Sequence, residues 1–197
     1  MSEPSNRICV YCASSQKCDH LYHRDAYKTG EILAEVGYEI VYGGGAVGSM
    51  GALADGALSQ GGRVIGIMPQ FMKDLEWNHP RISELQLVED MRERKHKMLT
   101  GSSGLIALPG GSGTLEELLE AITLKRLGIY LNPILILNTN GLFDKLVELF
   151  ERIISEKFMD ARHREMWTVI SSPDEILDAL NEAPEWTTDA KEFAAVK

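Results

Sequence analysis

Two stretches of this chain carry residue types suited to holding a phosphate and working beside it. The first is Pro109-Gly110-Gly111-Ser112-Gly113-Thr114-Leu115-Glu116-Glu117. Glycines let a backbone wrap closely round a phosphate, and the first N–H groups of a helix starting here would point at it with the positive end of the helix dipole. Thr114 adds a hydroxyl. The Gly-Lys-Ser/Thr of a Walker loop is missing, so ATP hydrolysis is not indicated. Glu117 has two readings. From spacing alone the plainer one is a capping box, with Thr114 capping the helix and Glu117 reaching back. The other is a carboxylate beside the phosphate, placed where a sugar carbon develops positive charge.

The second stretch is Met91-Arg92-Glu93-Arg94-Lys95-His96-Lys97-Met98, at helical spacing. Its bland reading is a solvated basic face. In an acidic chain, however, five basic or His side chains in eight positions could supply local positive potential. Arg94 stands three and four residues from Met91 and Met98, on one helix face with them. A partly buried Arg there wants an anion or carboxylate.

A third segment, Gly43-Gly44-Gly45-Ala46-Val47-Gly48, fits G-x-G-x-x-G between a strand and a helix. A dinucleotide site would also want a carboxylate roughly 20 residues on. That region reads Ile65-Gly66-Ile67-Met68-Pro69, which disfavours NAD and leaves tight turns and close helix packing as the alternative. Cys9-x-x-Cys12 has the spacing of a redox pair or half a zinc site. It lies in an apparent buried strand, where residues three apart face opposite ways. No Cys/His cluster follows at ligand spacing, so these read as small core residues.

The elements that must position these groups alternate between β-rich runs and helical periods, the pattern of a parallel sheet covered by helices. Strands are predicted over 7–11, 39–42, 63–67, 104–108 and 133–137, with a weaker one at 168–170. Helices are predicted near 22–36, 50–60, 91–100, 115–127 and 142–157, with a last one after Pro173. The fold class is α/β, a Rossmann-like doubly wound parallel sheet with helices on both faces, in a single domain over 1–182. Residues 68–90 read as a long binding loop. Residues 183–197 form a polar tail without a period, whose order the sequence leaves open.

Composition narrows the partners. Lys plus Arg is 20 against Asp plus Glu 29, a formal charge of −9, which argues against a nucleic-acid surface. The segment Met1 to Arg7 has no apolar core of a secretory signal, and no apolar run approaches the roughly 18 residues of a membrane span. The chain reads as a cytoplasmic protein with no membrane partner. At 197 residues it can bury a core without disulfides or metal.

Taken together, the segments resemble the LONELY GUY (LOG) family. Pro109 to Glu117 is similar to its P-G-G-x-G-T-x-x-E motif, and Met91-x-x-Arg94-Lys95-x-x-Met98 to its second signature. The likeness also covers Val41-Tyr42-Gly43-Gly44-Gly45 with Gly48 and Gly51, Cys12-Ala13-Ser14-Ser15, and Glu76-Trp77-Asn78-His79, over roughly residues 7 to 180. Members of that family are cytokinin riboside 5′-monophosphate phosphoribohydrolases that long carried a lysine decarboxylase label. The resemblance implies a cytoplasmic homodimer, free of cofactor and metal, that binds a nucleoside monophosphate and releases base and ribose 5-phosphate. By position, Arg94 and Glu117 would be the catalytic pair. Gly111, Ser112, Gly113 and Thr114 would cradle the 5′-phosphate, and Glu76, Lys95 and Thr123 fall at substrate contacts. Ser14, Gly44, Gly45, Gly110, Leu115 and Glu116 complete the implied substrate site. Arg92 stands where His is common, and Ser112 replaces a frequent aromatic or aliphatic residue, which bears on base preference. Two rivals remain at this stage. A non-catalytic nucleotide sensor would keep the phosphate loop without turnover. A pyridoxal-phosphate decarboxylase would need a Schiff-base lysine, and none stands out.

Overall fold

The computed structural model describes residues 6–75 and 77–195. Seven strands form one sheet in which every neighbouring pair is parallel: β1 (Arg7–Tyr11), β2 (Glu39–Tyr42), β3 (Val64–Pro69), β4 (Glu84–Val88), β5 (Gly104–Ala107), β6 (Ile134–Leu137) and β7 (Thr168–Ile170). The order is β4-β3-β2-β1-β5-β6-β7, so the chain winds outward from β1 in one direction and from β5 in the other.

Runs such as Leu105-Ile106-Ala107 and Ile134-Leu135-Ile136 are apolar throughout because parallel strands are covered on both faces. Helices α1 (His20–Glu35), α2 (Gly48–Ser59) and α7 (Ile176–Asn181) cover one face with Ile8, Val10 and Cys12 beneath them. Helices α4 (Met91–Leu99), α5 (Ser112–Arg126) and α6 (Asp144–Ser155) cover the other, over Cys9 and Tyr11. Cys9 and Cys12 thus lie in opposite cores, as the strand alternation requires. Close approach of α1 and α2 depends on Gly30 and Gly56: a Cβ on either would stand 2.2 or 2.0 Å from a carbonyl oxygen of the facing helix.

Three expectations change. Residues 68–90 are not one loop but contain a short helix, α3 (Gln70–Asp74), and the edge strand β4. Glu84-Leu85-Gln86-Leu87 does alternate with period two, but an edge strand buries little, so its apolar signal is diluted. A 3-10 segment, Ala161–Met166, precedes β7 and was not anticipated. Helix α5 begins at Ser112, three residues before the predicted start, because Gly111 is already extended and serves as N-cap. After Glu182, where no period is visible, Trp186 and Ala190 nevertheless enter the core.

Candidate active site

The strand order changes its direction of winding between β1 and β5, and ligands of open α/β sheets bind outside the strands' carboxyl ends at that point. The loops after β1, β2, β3 and β5 converge there with the first turns of α4 and α5. Asp90 starts α4 by accepting the Glu93 N–H at 2.8 Å. Arg94, one turn in, is thereby turned down into the protein and is only 5% exposed. Its Nε donates to the Ile67 carbonyl of β3 at 3.1 Å, and Nη1 donates to Glu117 Oε1 at 2.6 Å. A Cβ at Gly43 would lie 2.1 Å from Nη2, so the guanidinium occupies the space a side chain there would take.

Glu117 is 6% exposed. The capping-box reading fails: Gly111 is the N-cap, Thr114 sits inside the first turn, and the Glu117 carboxylate goes to Arg94. A buried charge needs a buried partner far more than a helix end needs one reach-back bond. Burial raises the Glu117 pKa above the ordinary carboxylate value, and the Arg94 charge and hydrogen bond oppose that rise. The thiols of Cys9 and Cys12 are themselves raised mainly by burial, with Glu117 adding to it.

Around this pair the loop after β5 presents Gly111, Ser112 and Gly113 to the surface. A Cβ on Gly111 or Gly113 would meet nothing within 4 Å, whereas one on Gly110 would strike Thr114 Oγ1 at 2.1 Å. Gly110 is therefore fixed by packing and the other two face open space. The first helical bond of α5 runs from Leu115 N–H to the Gly111 carbonyl, at 3.0 Å. The N–H groups of Ser112, Gly113 and Thr114 precede it, aligned for an anion.

The loop after β2 forms the opposite wall. Gly44, at φ +83, presents its carbonyl to the His79 N–H at 2.9 Å; Gly45 bridges Asn78, and Ala46 N–H donates to the Trp77 carbonyl at 3.0 Å. Ser14 is exposed on the loop after β1, which is fastened to α2 by Met50 N–H donating to the Ala13 carbonyl at 3.0 Å. Leu115 packs on the core beneath the cradle. Glu76 lies outside the described residues. Thr123 is not gathered into this cluster. It stands exposed seven residues beyond Glu116, roughly 10 Å along the helix, with its hydroxyl donating to the Leu119 carbonyl at 2.8 Å.

The basic helix supplies less free positive charge than its composition suggests. Arg94 is matched to Glu117, Lys97 to Glu93 at 3.3 Å, and Lys95 to both Glu116 and Glu120, the latter at 2.6 Å. These carboxylates lie on α5, apart from Glu93, so the cationic face of α4 meets an acidic face. Such pairing is invisible to a composition count.

Sequence reasoning passed over three groups. His79 is buried, with Nε2 3.2 Å from Asp55 Oδ1 and Nδ1 accepting the Arg81 N–H, so it pins the segment that lies along Gly44–Ala46. Lys125 is buried with its pKa lowered to about 8 by desolvation. It is the one feature a Schiff-base search would seize on, yet it sits at the far end of α5 with Nζ bonded to the Asn132 carbonyl at 2.9 Å. The third, His163, is fully buried. His79 lies in the Glu76–His79 segment of the resemblance but was given no role there, and Lys125 and His163 are marked by burial alone.

The family model described as possible lysine decarboxylase matches residues 50–180. A probable cytokinin riboside 5′-monophosphate phosphoribohydrolase of Oryza sativa subsp. japonica is 41% identical over 167 residues, spanning 85% of this chain and 74% of that protein. A cytokinin riboside 5′-monophosphate phosphoribohydrolase of Arabidopsis thaliana is 39% identical over 167 residues, 85% of this chain and 77% of its own. Among solved structures, the molybdenum cofactor binding protein of Rippkaea orientalis superposes with a TM-score of 0.72 at 22% identity, covering 91% of this chain and 98% of that one. The molybdenum cofactor carrier protein of Chlamydomonas reinhardtii gives 0.70 at 19% identity, with coverages of 90% and 96%. At such identities the two structures speak to the fold alone.

Proposed function

This chain belongs to the LOG family, and from that membership we propose that it hydrolyses the N-glycosidic bond of adenosine 5′-monophosphates, N6-modified ones included. The observation that carries the reading is the buried Arg94–Glu117 pair beside an open glycine cradle at the sheet's switch point.

The chemistry follows from what each group can do. The 5′-phosphate would rest on the N–H groups of Ser112, Gly113 and Thr114, placing the ribose between the cradle and Gly43–Gly45. Breaking the bond from C1′ to the base leaves oxocarbenium character on the sugar, which a fixed carboxylate stabilises. Glu117 is that carboxylate, and it orients the water whose oxygen bonds to C1′ as the base departs. Arg94 does not act as an acid, since its pKa exceeds about 12. It is the positioning group, tied to Ile67 and to Glu117 at once. The products are free base and ribose 5-phosphate.

The reading extends to a cytoplasmic homodimer. Leu119, Leu127, Ile129 and Leu131 stand exposed along α5 and the loop after it, which supports self-association on this face. No helix among the described residues is long and apolar enough to cross a membrane.

The test is to incubate the purified protein with AMP and with N6-isopentenyladenosine 5′-monophosphate and follow free base by chromatography. Release of base with equimolar ribose 5-phosphate, abolished in Glu117→Ala, is the expected result. Binding of either nucleotide by calorimetry without any release would replace the hydrolase with a sensor.

A further inference from the structure

Residues 183–193 lie beyond the stretch that the family model matches, and they cross the C-terminal end of α5. Trp186 Nε1 donates to the Lys125 carbonyl at 2.7 Å, a further bond on an oxygen that also accepts the Gly128 N–H at 2.9 Å, and this ties the segment to the end of that helix. A Cβ at Gly128 would stand 2.9 Å from the Thr188 carbonyl oxygen, so the turn after α5 is closed by this segment. Trp186 and Phe193 meet edge to face at 5.8 Å.

His163 lies beneath both rings, 0% exposed, with its centroid 5.4 Å from Phe193 and 6.4 Å from Trp186. Its Nδ1 accepts the Asp160 N–H at 3.0 Å, so the proton of the neutral ring is on Nε2. Nε2 is buried and has no hydrogen-bond partner among the described residues. A second proton would have to go to Nδ1, directly opposite an N–H donor.

The charges around the ring act both ways, Asp160 for an imidazolium and Arg126 and Arg162 against it. On its own turn, Asp160 is engaged by Arg162 through bonds of 2.8 and 2.9 Å, and the Arg162 guanidinium lies 3.7 Å over the Phe193 ring. From α5, Arg126 has a buried Nε without an acceptor, and Lys125 stands 5.9 Å from the Trp186 ring. From α6, Glu151 is taken by Arg164 at 2.6 Å. Asp189, Lys191 and Glu192 of the crossing segment are all exposed. The neighbourhood is rich in cations, and its nearest carboxylates are committed.

We infer that residues 183–193 are a proton-released strap, docked while His163 is neutral and freed when the ring takes a second proton. Burial holds the imidazole below its ordinary value, with Arg126 and Arg162 acting in the same direction and Asp160 against them. Release therefore belongs on the acid side of about pH 6.5. Leaving, the strap uncovers the C-terminal end of α5, the helix whose other end forms the cradle. The inference stands apart from the proposed activity and needs no substrate to test.

The experiment is hydrogen exchange by mass spectrometry on the full chain from pH 7.5 to 5.0, corrected for intrinsic exchange, together with an NMR titration of the His163 ring. Expected is at least a tenfold loss of protection across 183–193 with the midpoint of the His163 titration, while β1 and β5 stay protected. In His163→Asn, which keeps an acceptor near the Asp160 N–H and cannot titrate, the strap stays protected throughout. Protection that is flat in the wild type, or lost while His163 remains neutral, overturns the inference. So does a loss shared with β1 and β5, or an equal step in His163→Asn.

Discussion

Arg94 and Glu117 are 23 positions apart on two helices with the strand β5 between them, yet Nη1 and Oε1 lie 2.6 Å apart and both side chains are almost wholly withdrawn from water. Neither charge is tolerable there alone. The pair is consequently structural and chemical at once, and the two roles come apart in different substitutions.

Glu117→Gln keeps a hydrogen-bonding partner for Arg94 and removes the carboxylate. It should fold with a smaller loss of stability than Glu117→Ala, because the hydrogen bond remains though the counter-charge does not, and lose at least about 100-fold in kcat. Glu117→Ala leaves a buried guanidinium unpaired and should cost about 3–5 kcal/mol of stability as well. Because the folded pKa of Glu117 is raised, the carboxylate is lost at a higher pH than an exposed glutamate would lose it. The acid limb of the kcat/KM profile should therefore fall above pH 4.5, the ordinary value. A limb at or below it would remove the ionised Glu117 from the rate-determining chemistry.

Gly43→Ala places a methyl group where the Arg94 guanidinium rests, 2.1 Å from Nη2. The arginine must move and break one of its two bonds, to Ile67 or to Glu117. Activity should drop more than tenfold although residue 43 carries no reactive group, and adding Arg94→Lys should cost little more. Additive losses in that double variant would show that the two positions act independently.

Gly110 and Gly113 offer a paired comparison. A Cβ at 110 strikes Thr114, so Gly110→Ala should lower the melting temperature. At Gly113 a Cβ meets no protein atom, and alanine is the better helix former by about 1 kcal/mol. Gly113→Ala should thus melt no lower than the wild type while KM rises about tenfold or more, because the methyl group stands where the phosphate would lie. Unchanged KM in a stable Gly113→Ala protein would move the phosphate elsewhere.

Lys125 has a folded pKa of about 8 against 10.5 when exposed, so between those values the unfolded chain binds more protons than the folded one. Stability then rises with pH across that window and is lowest below it. Lys125→Met removes the penalty, at most about 3 kcal/mol, and also loses the Nζ bond to the Asn132 carbonyl, worth about 1. The variant should be the more stable protein at pH 7 by about 1–2 kcal/mol. Its advantage should shrink by pH 9.5 in urea titrations. An advantage that does not vary with pH would mean the lysine is not the titrating group.

The sheet was legible from the chain because central parallel strands are apolar on both faces and declare themselves over four or five residues, as Leu105-Ile106-Ala107 does. The edge strand Glu84–Val88 is less visible because one of its flanks is solvent and Glu84 and Gln86 interrupt its apolar residues. Of the face shared by Met91, Arg94 and Met98, Arg94 and Met98 are buried as the spacing predicts, while Met91 in the first turn stays exposed. Glu117 was ambiguous for an equally local reason, since Thr114-x-x-Glu117 is the spacing of a cap and of a helix face alike.

What the sequence by itself determined is the alternation of elements, the glycine loops after β2 and β5, and which helices carry charge toward the sheet. These follow from periodicity and backbone freedom, properties of neighbours along the chain. Only the tertiary structure decided that Glu117 answers Arg94 rather than its own helix end, and that the cations of α4 are met by the acids of α5. Only it decided that His163 and Lys125 lose their water, because desolvation depends on what folds over a group from elsewhere in the chain. No local pattern encodes it.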